Sequence, residues 1–216
     1  MKKFLSGSLA LLFLVSPVAA GEWKTPPKPA PTATAATVEE TWAVDWIGEL
    51  DEDLYKRVKN DISYAQNEKK KVLKVTLLSG GGSVVWSLEI ARLVWQAREK
   101  GLIVEMQGVA LVASGATFVL ASGTPGRRYI SEYTIFLVHP PQSAGFFSRE
   151  CLSFKPDPKD ESDRLVNTIL ALMRDMYMKF TGKSQEEVEK WLTCGNEQAG
   201  SGKLAVSLGM ADAVRE

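Results

Sequence analysis

The chain has 216 residues, 45% of them hydrophobic and 24% charged, which is the composition of an ordinary globular protein. Lys plus Arg and Asp plus Glu both number 26, so no net field draws in a nucleic-acid backbone. Two Cys and one His cannot fill a four-ligand zinc set, and His139 is the one imidazole available for general-base chemistry.

The chain opens on Lys2 and Lys3, followed by the apolar run Leu5 to Val15 and the small residues Val18-Ala19-Ala20. This is the pattern of an export signal at residues 1–20, cleaved after Ala20. The run is too short for a membrane-spanning helix, which needs about 20 apolar residues. Removing Lys2 and Lys3 leaves a mature chain with a net charge of −2. A periplasmic or secreted location is therefore expected. In an oxidising compartment Cys151 and Cys194 read as a disulfide, against the alternative of two free, semi-buried thiols. Such a bond would close a long loop and contribute about 3–4 kcal/mol, and the distance between them decides it.

Residues 21–40 are rich in Pro, Ala and Thr and cannot bury enough surface to offset their ordering entropy, which predicts a linker. The folded domain is expected over 41–216. Thr41 to Gly48 is strand-like. Asp51 to Asn67 has Leu54, Val58, Ile62 and Ala65 at helical spacing. Val72 to Leu78 is a β-branched strand, broken by Ser79-Gly80-Gly81-Gly82-Ser83. Val84 to Lys100 returns to helical period, with Val84, Leu88, Ala91 and Trp95 on one face, and Gly101 closes it.

Leu102 to Met106 is a strand, and a helix from Ser114 to Ala121 follows the strand that ends at Ala113. Arg127 to Val138 is a strand or strand pair that Pro140 and Pro141 terminate. Leu165 to Phe180 is a long helix closed by Gly182. Ser184 and Glu187 have the spacing of a capping box for a helix to Leu192. A last helix covers Lys203 to Leu208. Strands that alternate with helices predict an α/β domain with a mostly parallel, helix-covered sheet.

Three features fall at carboxyl ends of strands, where open α/β sheets place their ligands. The glycines 80–82 can leave backbone N–H groups facing a ligand, although their spacing fits neither a dinucleotide fingerprint nor a P-loop. Ser114 at a helix start reads either as an N-cap or as a nucleophile whose oxyanion the Gly115 N–H would stabilise. His139 follows the next strand. Their convergence favours catalysis.

These residues resemble the Clp protease proteolytic subunit, within the Clp/crotonase superfamily. Ser79-Gly80-Gly81-Gly82-Ser83-Val84 resembles the family's Ser-Pro-Gly-Gly-Ser-Val, with Gly80 in place of Pro. Ala113-Ser114-Gly115-Ala116-Thr117-Phe118 resembles its nucleophile segment. Gly123 to Arg128 resembles the following Gly-x-x-Gly-x-Arg turn, and Val138-His139-Pro140-Pro141 its Ile-His-Gln-Pro. Similar short matches at Ile47 to Leu50, Thr181 to Ser184 and Ala205 to Asp212 extend the likeness over residues 44–213.

The resemblance implies repeated β-α units of the Clp/crotonase type. Ser114 would be the acyl nucleophile, His139 the general base, and the N–H groups of Gly82 and Gly115 the oxyanion hole. The third triad position departs from the family: alignment from either side places it on Trp191 or Thr193, neither a carboxylate. Asn196 or Glu197 would have to orient His139 instead. The substrate class implied is a short or unfolded peptide. A ring-like homo-oligomer is implied, although residues 142–161 differ from the family's inter-ring handle. The family's unfolding ATPase is not expected for an exported chain, and neither is a metal or other cofactor. Two other readings stand beside this one. The first is a weak or inactive relative that binds or assembles through the same cleft. The second is a Ser-Lys peptidase resembling signal peptide peptidases, with Lys155 or Lys159 as base.

Overall fold

The computed structural model describes residues 40–144 and 149–216. The expected signal and nearly all of the expected linker lie outside the described residues. The described residues belong to one compact unit.

β1 (Thr41–Ile47) leads into α1 (Glu52–Asn67). Asp51 caps this helix by accepting the N–H of Leu54 at 2.8 Å. The expected stripe of Leu54, Val58, Ile62 and Ala65 is the buried face. β2 (Val72–Ser79) and α2 (Val84–Glu99) follow. α2 buries Ser87, Ile90, Ala91, Val94 and Ala97, so the face expected from Val84, Leu88 and Trp95 is rotated. Those three are half-buried around a groove shared with a later helix. α2 is apolar on two sides, which is why a single stripe was ambiguous.

β3 (Ile103–Ala113) is one long strand where two separate strand signals were expected. It bends at Ala110, whose φ is +54°, and its register against β2 shifts between Leu77 and Ser79. The bend lets β3 pair first with β4 (Arg128–Ile130) and then with β5 (Ile135–Val138). α3 (Ala116–Ala121) fills the junction with six fully buried residues.

A small antiparallel hairpin, β6 (Gln142–Ala144) and β7 (Arg149–Cys151), leaves the sheet after Pro141. α4 (Glu161–Thr181) begins earlier than its apolar pattern, because Asp160 caps it by accepting the Asp163 N–H at 2.9 Å. α5 (Gln185–Trp191) carries both halves of the Ser184–Glu187 capping box. β8 (Gln198–Gly200), α6 (Gly202–Ser207) and β9 (Ala213–Val214) close the chain.

The main sheet runs β1-β2-β3-β4-β9, parallel throughout, with β5 parallel to the far half of β3 and β8 antiparallel to β5. The helices pack in succession, α1 on α2, α2 on α3, α3 on α4 and α4 on α5. This is the α/β architecture with a mostly parallel, helix-flanked sheet that the alternation predicted. β1, β2, β3 and β5 run the same way, so their carboxyl ends share one edge.

Candidate active site

That edge carries a cavity of about 610 Å³. Ile47 to Glu49 at the end of β1, Leu78 to Gly82 at the end of β2, Ser114 after β3 and His139 after β5 all line it, together with Gln142 and Ser143 of β6. The expected convergence of glycine loop, serine and histidine is therefore present in three dimensions.

The glycine loop is held against Leu50, whose N–H donates to Gly81 O at 2.9 Å and whose carbonyl accepts from Ser83 N at 3.0 Å. Gly81 and Gly82 have φ of +97° and +154°, and a Cβ on Gly82 would lie 2.6 Å from Leu50 O. Side chains are thus excluded there by both conformation and space. The Gly82 N–H donates to no described residue, and neither does the Gly115 N–H. Gly82 lines the cavity and Gly115 is buried next to Ser114; unpaired N–H groups in such places are uncommon and suit an anionic oxygen.

Ser114 is not the helix N-cap that its position suggested. α3 starts at Ala116 with Gly115 as its cap, and Ser114 sits just outside with φ of +54°. Such a conformation costs a non-glycine residue about 1–2 kcal/mol, which its hydrogen bonds must offset. Its N–H donates to Leu137 O at 2.8 Å, continuing the β3–β5 ladder. Its carbonyl accepts from Thr117 N at 3.0 Å and from Thr117 Oγ1 at 2.6 Å. Because Thr117 spends its proton there, the buried Tyr177 hydroxyl is the donor in the 2.6 Å contact with Thr117 Oγ1. Burial drives the Tyr177 phenol well above its usual range, against the Thr117 hydrogen bond, so it stays protonated. Ser114 Oγ is half-buried and makes no hydrogen bond to a described residue.

His139 is half-buried directly after β5, and its Nδ1 lies 2.6 Å from Pro140 O. A carbonyl only accepts, so Nδ1 carries the proton and Nε2 is the basic nitrogen. No hydrogen bond joins His139 to Ser114 or to any described carboxylate. Apo catalytic contacts of this kind are often open until substrate binds.

Glu197 lies at the foot of β8. Hydrogen bonds from its own N–H and from the Gly195 N–H hold its carboxyl below the usual range, with a contribution from the His139 charge. Asn196 is exposed, and its side chain makes no hydrogen bond to a described residue. Trp191 is buried edge-on against Tyr177, which removes that position from the site. Thr193 bonds back to Glu189 O. Lys155 and Lys159 are exposed and line no part of the cavity.

Cys151 and Cys194 form a disulfide, with Cα atoms 6.0 Å apart. It ties the end of β7 to the loop after α5. Sequence reasoning missed three features: Glu49 in the cavity wall, the β6 lining, and the Tyr177–Thr117 chain behind Ser114. Glu49 lies in a short segment matched only as a strand-and-turn. Tyr177 is 60 residues from Thr117 and had no local signal. Among the described residues no three His, Cys, Asp or Glu side chains are grouped to hold a metal, and no helix is long and apolar enough to cross a membrane.

The family model described as Clp protease matches residues 33–216. The match takes in every strand and helix described above.

Proposed function

Because the chain belongs to the Clp protease family, we propose that it is an exported serine peptidase that cleaves short or unfolded peptides without ATP. The observation that carries this reading is the shared cavity of Ser114 in a left-handed turn, His139 with Nε2 free and the unpaired Gly82 N–H, with the unpaired Gly115 N–H next to Ser114 in the chain.

His139 Nε2 takes the proton from Ser114 Oγ as the oxygen attacks the scissile carbonyl carbon. The carbonyl π electrons move to oxygen, and the Gly82 and Gly115 N–H groups receive that charge. Collapse breaks the C–N bond, and the imidazolium gives its proton to the leaving amine. Water then attacks the acyl-Ser114 ester, with His139 again as base, and releases the acid.

Export is supported by the leader at residues 1–20 and by the disulfide, which suits an oxidising compartment. The absence of an ATP requirement follows from that location. A homo-oligomer is part of the reading, as family membership suggests. Val85 and Leu172, 59% and 51% exposed beside a groove between α2 and α4, are apolar surface that a second copy would cover.

A second reading, a binding protein with a silent site, draws on the open Ser114–His139 contact and on the lack of a carboxylate bonded to His139. Hydrolysis of a fluorogenic peptide library by the mature protein separates the two. The peptidase reading predicts turnover without ATP, with losses of at least about 10³-fold in Ser114→Ala and His139→Ala. No turnover in wild type, or equal turnover in Ser114→Ala, rejects it.

A further inference from the structure

The family's third triad position falls here on residues that cannot serve a histidine, yet the surroundings of His139 are not empty. The ladder between β5 and β8 pairs Phe136 with Gly200, Leu137 with Ala199 and Val138 with Gln198. The pairing ends there, and the same antiparallel register continued one step past the strand ends would set His139 opposite Glu197. Residues opposite one another in such a pair have Cα atoms about 4.5–5.5 Å apart and side chains on the same face.

Glu197 makes no ion pair with a described Lys or Arg. Its cationic neighbour is the imidazole, whose charge helps to hold the carboxyl low. The carboxylate is anchored by the Gly195 N–H at 3.1 Å. The carboxylate in the cavity wall itself is Glu49, which lies beside Gly82 rather than along this ladder, whereas Glu197 stands outside that wall.

The disulfide lies near the same pair in sequence, although its covalent loop from Cys151 to Cys194 contains neither residue. Cys194 precedes Glu197 by three residues. Its partner Cys151 pairs across the hairpin with Gln142, which follows His139 by three. Pro141 O also accepts the Leu152 N–H at 2.8 Å, so β7 is fixed to the segment that leaves His139. The loop that bears Glu197 is thereby joined to the chain that bears the base.

Resting on the serine-peptidase reading above, we infer that two groups divide the work of the absent triad carboxylate, and that the Cys151–Cys194 disulfide holds this arrangement together. The Pro140 carbonyl takes the Nδ1 proton of His139, and the Glu197 carboxylate stabilises the imidazolium across the strand pair. Glu197 is a positioning residue, since it acts through His139.

The chain's single histidine makes the test direct, because a mature protein without a His tag gives one imidazole signal in NMR titration. Removing a neighbouring carboxylate lowers a histidine pKa. In Glu197→Gln the imidazole signal should titrate at lower pH than in wild type, and Glu197→Asp should restore most of the difference. Gln keeps an oxygen for the Gly195 N–H, so the loop is preserved. Ser114 labelling by a fluorophosphonate should slow about 10-fold in Glu197→Gln, with the acid limb of its pH profile moved to lower pH. The Cys151→Ser/Cys194→Ser variant should move both readouts in the same direction. If that variant does not fold, reduction of the folded protein with a dithiol tests the same bond. An imidazole titration in Glu197→Gln that coincides with that of wild type overturns the inference. Wild type that fails to label overturns the peptidase reading, while the titration, which needs no activity, still decides the role of Glu197.

Discussion

A methyl group on Gly81 would sit 2.6 Å from the Cβ of Ser114, closer than any two such carbons approach. The glycine loop after β2 and the serine after β3 are thus in backbone contact, and each limits the other. The same virtual carbon lies 3.1 Å from Gly115 N, one of the two unpaired donors. Gly81→Ala should therefore cost about 2–4 kcal/mol of stability through clash and positive φ. Urea unfolding measures that loss. Peptidase activity in the fraction that remains folded should fall further, because the clash pushes directly on Ser114.

The chain Tyr177 to Thr117 to Ser114 is the second support of Ser114. Thr117→Val removes both hydroxyl bonds and leaves the Tyr177 hydroxyl buried without its partner. It should cost about 1–3 kcal/mol. Tyr177→Phe keeps the Thr117–Ser114 bond and should cost less. Comparing kcat in the two variants tests the order: Thr117→Val should lose more.

How much of this was legible in the sequence follows from local pattern. The α1 stripe, the α5 capping box and the placing of Ser114 and His139 at strand ends need only a few neighbouring residues, and each is present as expected. β6 to β9 are two or three residues each, too short for an alternation to register. The choice between Asn196 and Glu197 was undecidable along the chain. It depends on strand register, and the β5–β8 ladder points to Glu197. Ser114 is not a helix cap because its φ of +54° is not the extended conformation of an N-cap, and its N–H instead continues the pairing with β5.

Arg128, at the end of the glycine-rich turn after α3, is 7% exposed and bonds Asp212 through two side-chain nitrogens and its own backbone N–H. It also donates to Phe180 O at 2.8 Å, joining β4, α4 and the C-terminal turn. Burial raises the Asp212 carboxyl, but the Arg128 hydrogen bonds and charge outweigh it and hold it below the usual range. A carboxyl depressed in the folded state contributes stability above its unfolded value, about pH 3.9, and loses it as pH falls through the lower folded value. Wild type should therefore lose stability below about pH 4, and Asp212→Asn should flatten that slope. Arg128→Met should cost about 3–5 kcal/mol at neutral pH, because it strands a partly buried carboxylate. Thermal unfolding across pH checks both.

The disulfide spans 43 residues. Closing a loop of that length is worth about 4 kcal/mol in the chain-entropy model. Urea midpoints of oxidised and reduced protein should differ accordingly, with the larger denaturant dependence in the reduced form.

The central claim is that Ser114 is an activated nucleophile with His139 as its base. The most direct measurement is fluorophosphonate labelling of the mature protein, with the adduct located by mass spectrometry. The account predicts one adduct, on Ser114, absent in Ser114→Ala and slowed by orders of magnitude in His139→Ala. Labelling at another residue, or at Ser114 with an undiminished rate in His139→Ala, would contradict it.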